Sequence, residues 1–314
     1  MIKLVCKLLL LFIAIALTYL IIIIGANAGH TTGYNSYIAS IIDKQRLLET
    51  TPSPKIIFIG GSNLVMGLDS PRVEQALGMP VVNMGVNAGF GLRFMLNQVK
   101  PHIGKGDVIV IVPEYEQFYG HLNGSTTLIE ALTIFPQAIV YLDSPDQYAM
   151  ILSELPVFMQ GMLTNWIGNL RPRDGFAATR QSFNSQGDML AHLDVPSPVD
   201  ISQLTLFTEA ERTINDETIR VINQFDTNAK QVGAQVFVIF PPLPEKQARE
   251  NREQIEAIYK HLQQQSSMTL LGAPTDYVFP VSYFFDTVYH LNRQGRDART
   301  EKVINALKSA ASAN

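Results

Sequence analysis

Three short apolar runs constrain the fold of this chain more than any other feature. Lys55-Ile56-Ile57-Phe58-Ile59, Asp107-Val108-Ile109-Val110-Ile111-Val112 and Ala234-Gln235-Val236-Phe237-Val238-Ile239-Phe240 each hold a continuous apolar stretch rich in β-branched residues. A half-solvated strand alternates apolar with polar, so an unbroken run of this length describes a strand buried on both faces. Each run stops sharply, at Gly60-Gly61-Ser62-Asn63, at Pro113 and at Pro241-Pro242. Asp69-Ser70-Pro71 announces a helix with Ser70 as its cap and Pro71 in the first helical position, ending near Gly78. A strand at 80–84 and a helix at 92–103 complete a β, α, β, α, β order. Later, 215–232 reads as a helix stopped at Gly233, 244–265 as a long helix charged on one side, 269–271 as a short strand and 293–311 as a closing helix. The alternation implies an α/β fold: a three-layer α/β/α sandwich whose mainly parallel sheet of about five strands is joined by right-handed crossovers.

Two stretches fall outside this pattern. Between Tyr119 and Ser202 the apolar helical stretches 128–140 and 147–162 precede a polar segment, which reads as a helical insertion at about 120–205. Its Phe135, Tyr141, Phe158, Met159, Met162 and Trp166 form a lid, a glycan platform or a bilayer-resting surface, or simply pack on the core as apolar residues at helical spacing usually do. Residues 29–54 are polar and close on Thr50-Thr51-Pro52-Ser53-Pro54, so they read as a linker with one short helix over 36–48, and the folded domain spans 55–314.

Hydrophobic residues make up 46% of the chain and charged residues 17%, a balance that excludes a disordered protein. Part of the excess is local, because without residues 1–28 the hydrophobic share falls to roughly 42%. Lys3 and Lys7 precede an apolar run of 17 residues from 8 to 24, about 26 Å as a helix and just enough to cross a thin hydrocarbon core. That length favours a single-pass N-terminal transmembrane helix with the domain outside the cytoplasm, since flanking lysines stay inside. Ala26-Asn27-Ala28 offers a signal-cleavage site, and cleavage after Ala28 yields a secreted product. With 24 basic against 28 acidic residues the formal charge is −4, which argues against nucleic acid as a partner. The one cysteine, Cys6, lies in the leader, so no internal disulfide and no cysteine-rich metal site form.

Ligands of open α/β sheets sit beyond the carboxyl ends of the strands, and three segments near such exits carry chemistry. In Gly60-Gly61-Ser62-Asn63 the glycines permit a tight turn and leave the Ser62 hydroxyl beside backbone N–H groups suited to a developing oxyanion; the same residues also make an ordinary turn. The second exit, Asn83-Met84-Gly85-Val86-Asn87-Ala88-Gly89, brings small residues and the Asn87 amide to a substrate, or is a turn and nothing more. Near the C-terminus, His290 follows Asp286 by four residues, a spacing at which a carboxylate can orient an imidazole base or form a surface ion pair. Glu114 and Glu116 after the third strand touch substrate or stabilise a helix start. No phosphate-loop pattern is present, and no His, Asp and Glu cluster has metal-ligand spacing.

On these three segments the chain resembles the SGNH (GDSL-like) hydrolase superfamily over roughly 55–118 and 214–312, with the insertion between, and is closest to the extracytoplasmic, membrane-anchored branch associated with envelope-polysaccharide acylation and deacylation. The resemblance implies a flavodoxin-like sheet, Ser62 as nucleophile, His290 as general base and Asp286 as its orienter. It further implies an oxyanion hole from the Ser62 amide, an amide near Gly89 and the Asn87 side chain. The implied reaction is ester hydrolysis or acyl transfer on an acylated small molecule or an acylated, including O-acetylated, glycan, without cofactor or metal. A membrane acyltransferase is a candidate partner. A catalytically inactive glycan-binding or scaffold protein of the same fold is the alternative. Three features depart from the family pattern: GGSN replaces GDS, Pro113-Glu114-Tyr115-Glu116 stands where GxND supplies a third oxyanion donor, and the Asp–His spacing is DxxxH instead of DxxH.

Overall fold

The three apolar runs lie side by side at the centre of one parallel sheet in the computed structural model, which describes residues 33–168, 178–207 and 213–312 together with Lys3, Lys7 and Leu10. The strands are β1 (Ile56–Gly60), β2 (Val81–Asn83), β3 (Val108–Val112), β4 (Gln235–Val238) and β5 (Thr269–Leu270), in the order 2-1-3-4-5. Ile57 stands opposite Val82 on one side and Ile109 on the other, and Val110 opposite Phe237. Residues 57–59 and 109–112 are fully buried, as strands without a polar face require. A separate two-stranded parallel ladder joins Leu243–Pro244 to Val278–Phe279; neither segment is long enough to show in the sequence pattern.

The helices of the domain are α1 (Ser40–Thr50), α2 (Ser62–Val65), α3 (Ser70–Leu77), α4 (Leu92–Val99), α5 (Thr126–Ile134), α6 (Pro145–Gly168), α7 (Asp216–Gln231), α8 (Glu245–Glu250), α9 (Arg252–Gln265) and α10 (Arg293–Ser312). Local chemistry accounts for where they differ from expectation. Asp69, not Ser70, caps α3, accepting the Arg72 N–H at 3.2 Å, because the Ser70 hydroxyl is drawn to the buried carboxylate of Asp188 at 2.5 Å. Gly78 closes α3 in the left-handed region, at φ +68°. The expected helix over 128–140 is split at Pro136, which cannot donate to the preceding turn, into α5 and a 3-10 segment at Pro136–Tyr141. The expected 244–265 helix divides at Asn251 into α8 and α9.

The polar stretch expected as a linker is built into the domain. Ile41 and Leu48 of α1 are buried in the main core, and buried Lys44 donates to the carbonyls of Asn83, at 2.7 Å, and Gly187. Burial pushes the Lys44 ammonium down to about 7 against the opposing pull of Asp188 and Asp43, and pushes the Asp188 carboxyl upward.

The insertion returns once to the sheet and once to α2. Its two long helices, α5 and α6, pack on each other. Phe158 is buried, Phe135 and Tyr141 pack on the core, and Met159 and Met162 are half-buried, whereas Val140, Leu152, Val157 and Leu163 face solvent. The Trp166 side chain lies outside what the structure describes. After α6, the Asn83 N–H donates to Gln186 C=O at 2.9 Å and the Met189 N–H to Val65 C=O at 3.0 Å. Among the described residues no helix is long and apolar enough to cross a membrane; the 8–24 run expected to do so lies outside them, Leu10 excepted.

Candidate active site

The order 2-1-3-4-5 places the connections leaving β1 and β3 in opposite directions, which opens a crevice above those two strands. Ser62 begins α2 directly after β1 and is half-buried. As the first helical residue its N–H is one of those a helix leaves without an intrahelical acceptor. Gly61 has no room for a side chain: a Cβ there would stand 2.5 Å from Glu114 Oε1 and 2.8 Å from the Ala88 nitrogen. The exits of β1, β2 and β3 therefore converge on this turn.

Beneath Ser62 runs a buried polar chain that the sequence pattern did not reveal. Glu114, 4% exposed, accepts the Asn63 N–H and Asn63 Nδ2–H, both at 3.1 Å. On its other side, Asn63 Oδ1 accepts from Arg299 Nη2 at 3.0 Å, and Arg299 Nη1 donates to the Asn63 carbonyl. Asn63 and Arg299 are completely buried. One amide thus bridges a buried carboxylate and a buried guanidinium, and its residue is the neighbour of Ser62. Burial pushes Arg299 down to about 10, opposed by Tyr277 and Glu114, so it is charged at neutral pH. Glu114 and Asn63 sit at strand exits, where a search for function looks first; Arg299, in the middle of a charged helix, gives no signal.

Asp286 and His290 meet in a loop, not a helix. His290 Nδ1 lies 2.6 Å from Asp286 Oδ1, with the two side chains 15% and 32% exposed. A carboxylate only accepts, so Nδ1 carries the proton and Nε2 presents its lone pair. The loop is pinned locally: Thr287 Oγ1 accepts the N–H groups of Tyr289, at 3.2 Å, and His290, at 3.1 Å, and the Phe285 N–H donates to His290 C=O at 2.9 Å. It is pinned to the Ser62 turn as well. The Leu291 N–H donates to Met66 C=O at 3.1 Å, and the Met66 N–H to Ser62 C=O at 3.0 Å. Tyr289 ties the loop to the third exit by donating to Glu116 Oε2 at 2.6 Å and accepting the Tyr115 N–H at 3.3 Å. Among the described residues the Ser62 hydroxyl takes no hydrogen-bond partner, His290 included.

The second exit differs from expectation in which atoms are free. The Gly89 N–H is donated to Asn87 Oδ1 at 2.8 Å and the Gly85 N–H to Asn83 Oδ1 at 3.0 Å. Among the described residues the Val86, Asn87 and Ala88 N–H groups and the Asn87 Nδ2 group take no such partner, and of these the Ala88 N–H stands beside Gly61. Tyr37, from the stretch expected as a linker, reaches over to donate to Val86 C=O. Burial, then the Glu114 and Asp286 carboxylates, push its phenol upward. Among the described residues no three His, Cys, Asp or Glu side chains gather as a metal site.

The arrangement can deliver a hydroxyl, an oriented imidazole and free backbone donors to one crevice, the elements that acyl transfer needs. No family model matches the chain, and no curated protein matches it.

Proposed function

We propose that this chain is a serine-dependent ester hydrolase or acyltransferase of the SGNH type, with a three-layer, flavodoxin-like body, acting on acylated, including O-acetylated, envelope glycans. One observation carries the reading: the 2.6 Å contact of Asp286 with His290 in a loop whose next residue, Leu291, is hydrogen-bonded to the turn that Ser62 begins. In the reaction, Ser62 Oγ attacks the ester carbonyl while His290 Nε2 takes its proton. Asp286 stabilises the imidazolium, the Ser62 and Ala88 N–H groups with Asn87 Nδ2 receive the oxyanion, and His290 protonates the departing alcohol. Water then completes hydrolysis, or a sugar hydroxyl completes transfer. The chain is held at the outer face of a membrane by residues 8–24, or secreted if cut after Ala28, and cell fractionation separates the two. A fluorophosphonate that labels Ser62 and blocks aryl acetate hydrolysis supports this function; a Ser62→Ala protein that turns over at the wild-type rate refutes it.

A second reading has its own support. Glu114 occupies the third exit as an acceptor, where the family pattern has a donor, and this favours a catalytically inactive glycan-binding or scaffold protein. In that case the exposed Leu152, Val157 and Leu163 are the contact for a membrane acyltransferase. Co-purification that survives Ser62→Ala but not serine at those three positions identifies the scaffold.

A further inference from the structure

The inserted segment contributes a histidine that touches neither Ser62 nor the Asp286–His290 pair, yet lies at the junction between them. His192 is completely buried, and its Nε2 lies 2.9 Å from Leu291 C=O. The carbonyl only accepts, so Nε2 carries the proton. Its ring rests on Phe285, the residue before Asp286, with centroids 5.5 Å apart. Three residues earlier, the Met189 N–H donates to Val65 C=O in α2 at 3.0 Å, and the Leu291 N–H closes the circuit onto Met66 C=O at 3.1 Å. From the same segment the Ser197 hydroxyl donates to Phe285 C=O.

Two carbonyls of the base loop, one on each flank of Asp286–His290, are therefore held by side chains of the insertion. The backbone of the insertion holds the nucleophile turn. These bonds link two pieces of chain more than two hundred residues apart, and the direct Leu291–Met66 bond is backed by a buried apolar cluster of Val65, Met66, Met189 and Phe285, to which the insertion itself contributes Met189. His192 makes a second polar contact on the same residue, at its carbonyl. The Nδ1 atom of His192 is buried without a partner, a cost that a residue serving only as filler would not need to carry.

Resting on the Ser62–His290 reaction proposed above, we propose that His192 is a positioning residue which, by fixing the Leu291 carbonyl, sets the distance and angle between the base and the nucleophile. The insertion thereby acts on catalysis through the base loop, in addition to shaping the surface above it.

The test compares wild type, His192→Gln, His192→Phe and Ser197→Ala as full-length proteins hydrolysing aryl acetate, with hydrogen exchange followed in the peptide containing residues 286–292. Phenylalanine keeps the packing on Phe285 and loses the donor; the glutamine amide restores a donor. Misplacing a reacting group by about 1 Å costs on the order of 100-fold, so His192→Phe is expected to lower kcat about 10- to 100-fold at unchanged KM. The 286–292 peptide should exchange faster in that variant, while His192→Gln should stay within about 3-fold of wild type and Ser197→Ala fall between. If His192→Phe does not fold, His192→Asn, too short to reach Leu291, takes its place. Wild-type kcat in His192→Phe, or a folded His192→Gln no better than the phenylalanine variant, overturns the proposal. Turnover that survives Ser62→Ala instead overturns the reaction itself, and the role of His192 in it falls with that reaction.

Discussion

Replacing Asn63 by alanine tests the buried chain beneath the candidate nucleophile. The substitution removes three hydrogen bonds: Nδ2 to Glu114 at 3.1 Å, Nδ2 to Val112 C=O at 3.2 Å, and Arg299 Nη2 to Oδ1 at 3.0 Å. Two of them involve a charged partner, each worth about 1.5–3 kcal/mol, and the third is worth about 1 kcal/mol. Glu114 keeps the Asn63 N–H, and Arg299 keeps the Asn63 and Gly67 carbonyls, so neither charge is stranded and the low end of the sum applies. A loss of about 4 kcal/mol is a large part of a typical domain's stability. At roughly 2–3 °C per kcal/mol for a domain of this size, the melting temperature should fall by about 8–12 °C. Thermal denaturation followed by circular dichroism at a fixed scan rate measures it. Glu114→Gln is the control, since it keeps an acceptor for both Asn63 donors and loses only the charge, and it should cost about 1–2 kcal/mol. An Asn63→Ala protein that melts within about 2 °C of wild type refutes the claim that this amide joins the two buried charges.

Three further outcomes follow from the same geometry. Burial lowers His192 to about 4 in the folded chain from an ordinary value near 6.5, so between those values the unfolded state binds more protons; stability falls as pH drops from about 6.5 to 4, by about 3 kcal/mol in total, and acid-range melting curves of His192→Gln should lack that component. Gly61→Ala drives a methyl to 2.5 Å from Glu114 Oε1 and 2.8 Å from the Ala88 nitrogen; it should cost about 1–3 kcal/mol in denaturant unfolding and displace Ser62 enough to slow fluorophosphonate labelling, whereas equal labelling rates would show the turn to be tolerant. Asp286→Asn removes the acceptor that holds the proton on His290 Nδ1 and should lower kcat by about 10³- to 10⁴-fold with little change in melting temperature, measured by steady-state hydrolysis of aryl acetate.

The centre of the sheet was readable because each of its three strands lies in an apolar run of about five consecutive residues. A run such as Val108–Val112 has no polar face to give to water, whatever surrounds it. The Asp286–His290 pair was readable for a similar reason, since its partners lie four residues apart and one loop suffices to join them. The cap of α3 was not, because Asp188, over a hundred residues away, competes for the Ser70 hydroxyl. Likewise Ile41, Lys44 and Leu48 look like part of a spacer until the groove that takes them is assembled.

What the amino-acid order determined alone is the alternation of buried strands with helices and the types of side chain at the strand exits, because these depend on periodicity and on neighbours in the chain. What only the tertiary structure decided is which of those groups are already engaged. The Gly89 N–H is taken by Asn87, Glu114 turns inward to Asn63, Arg299 is drawn beneath Ser62, and His192 bonds to the Leu291 carbonyl beside His290. Buried polar groups must find partners wherever the fold brings them, and those partners come from segments that no local pattern connects.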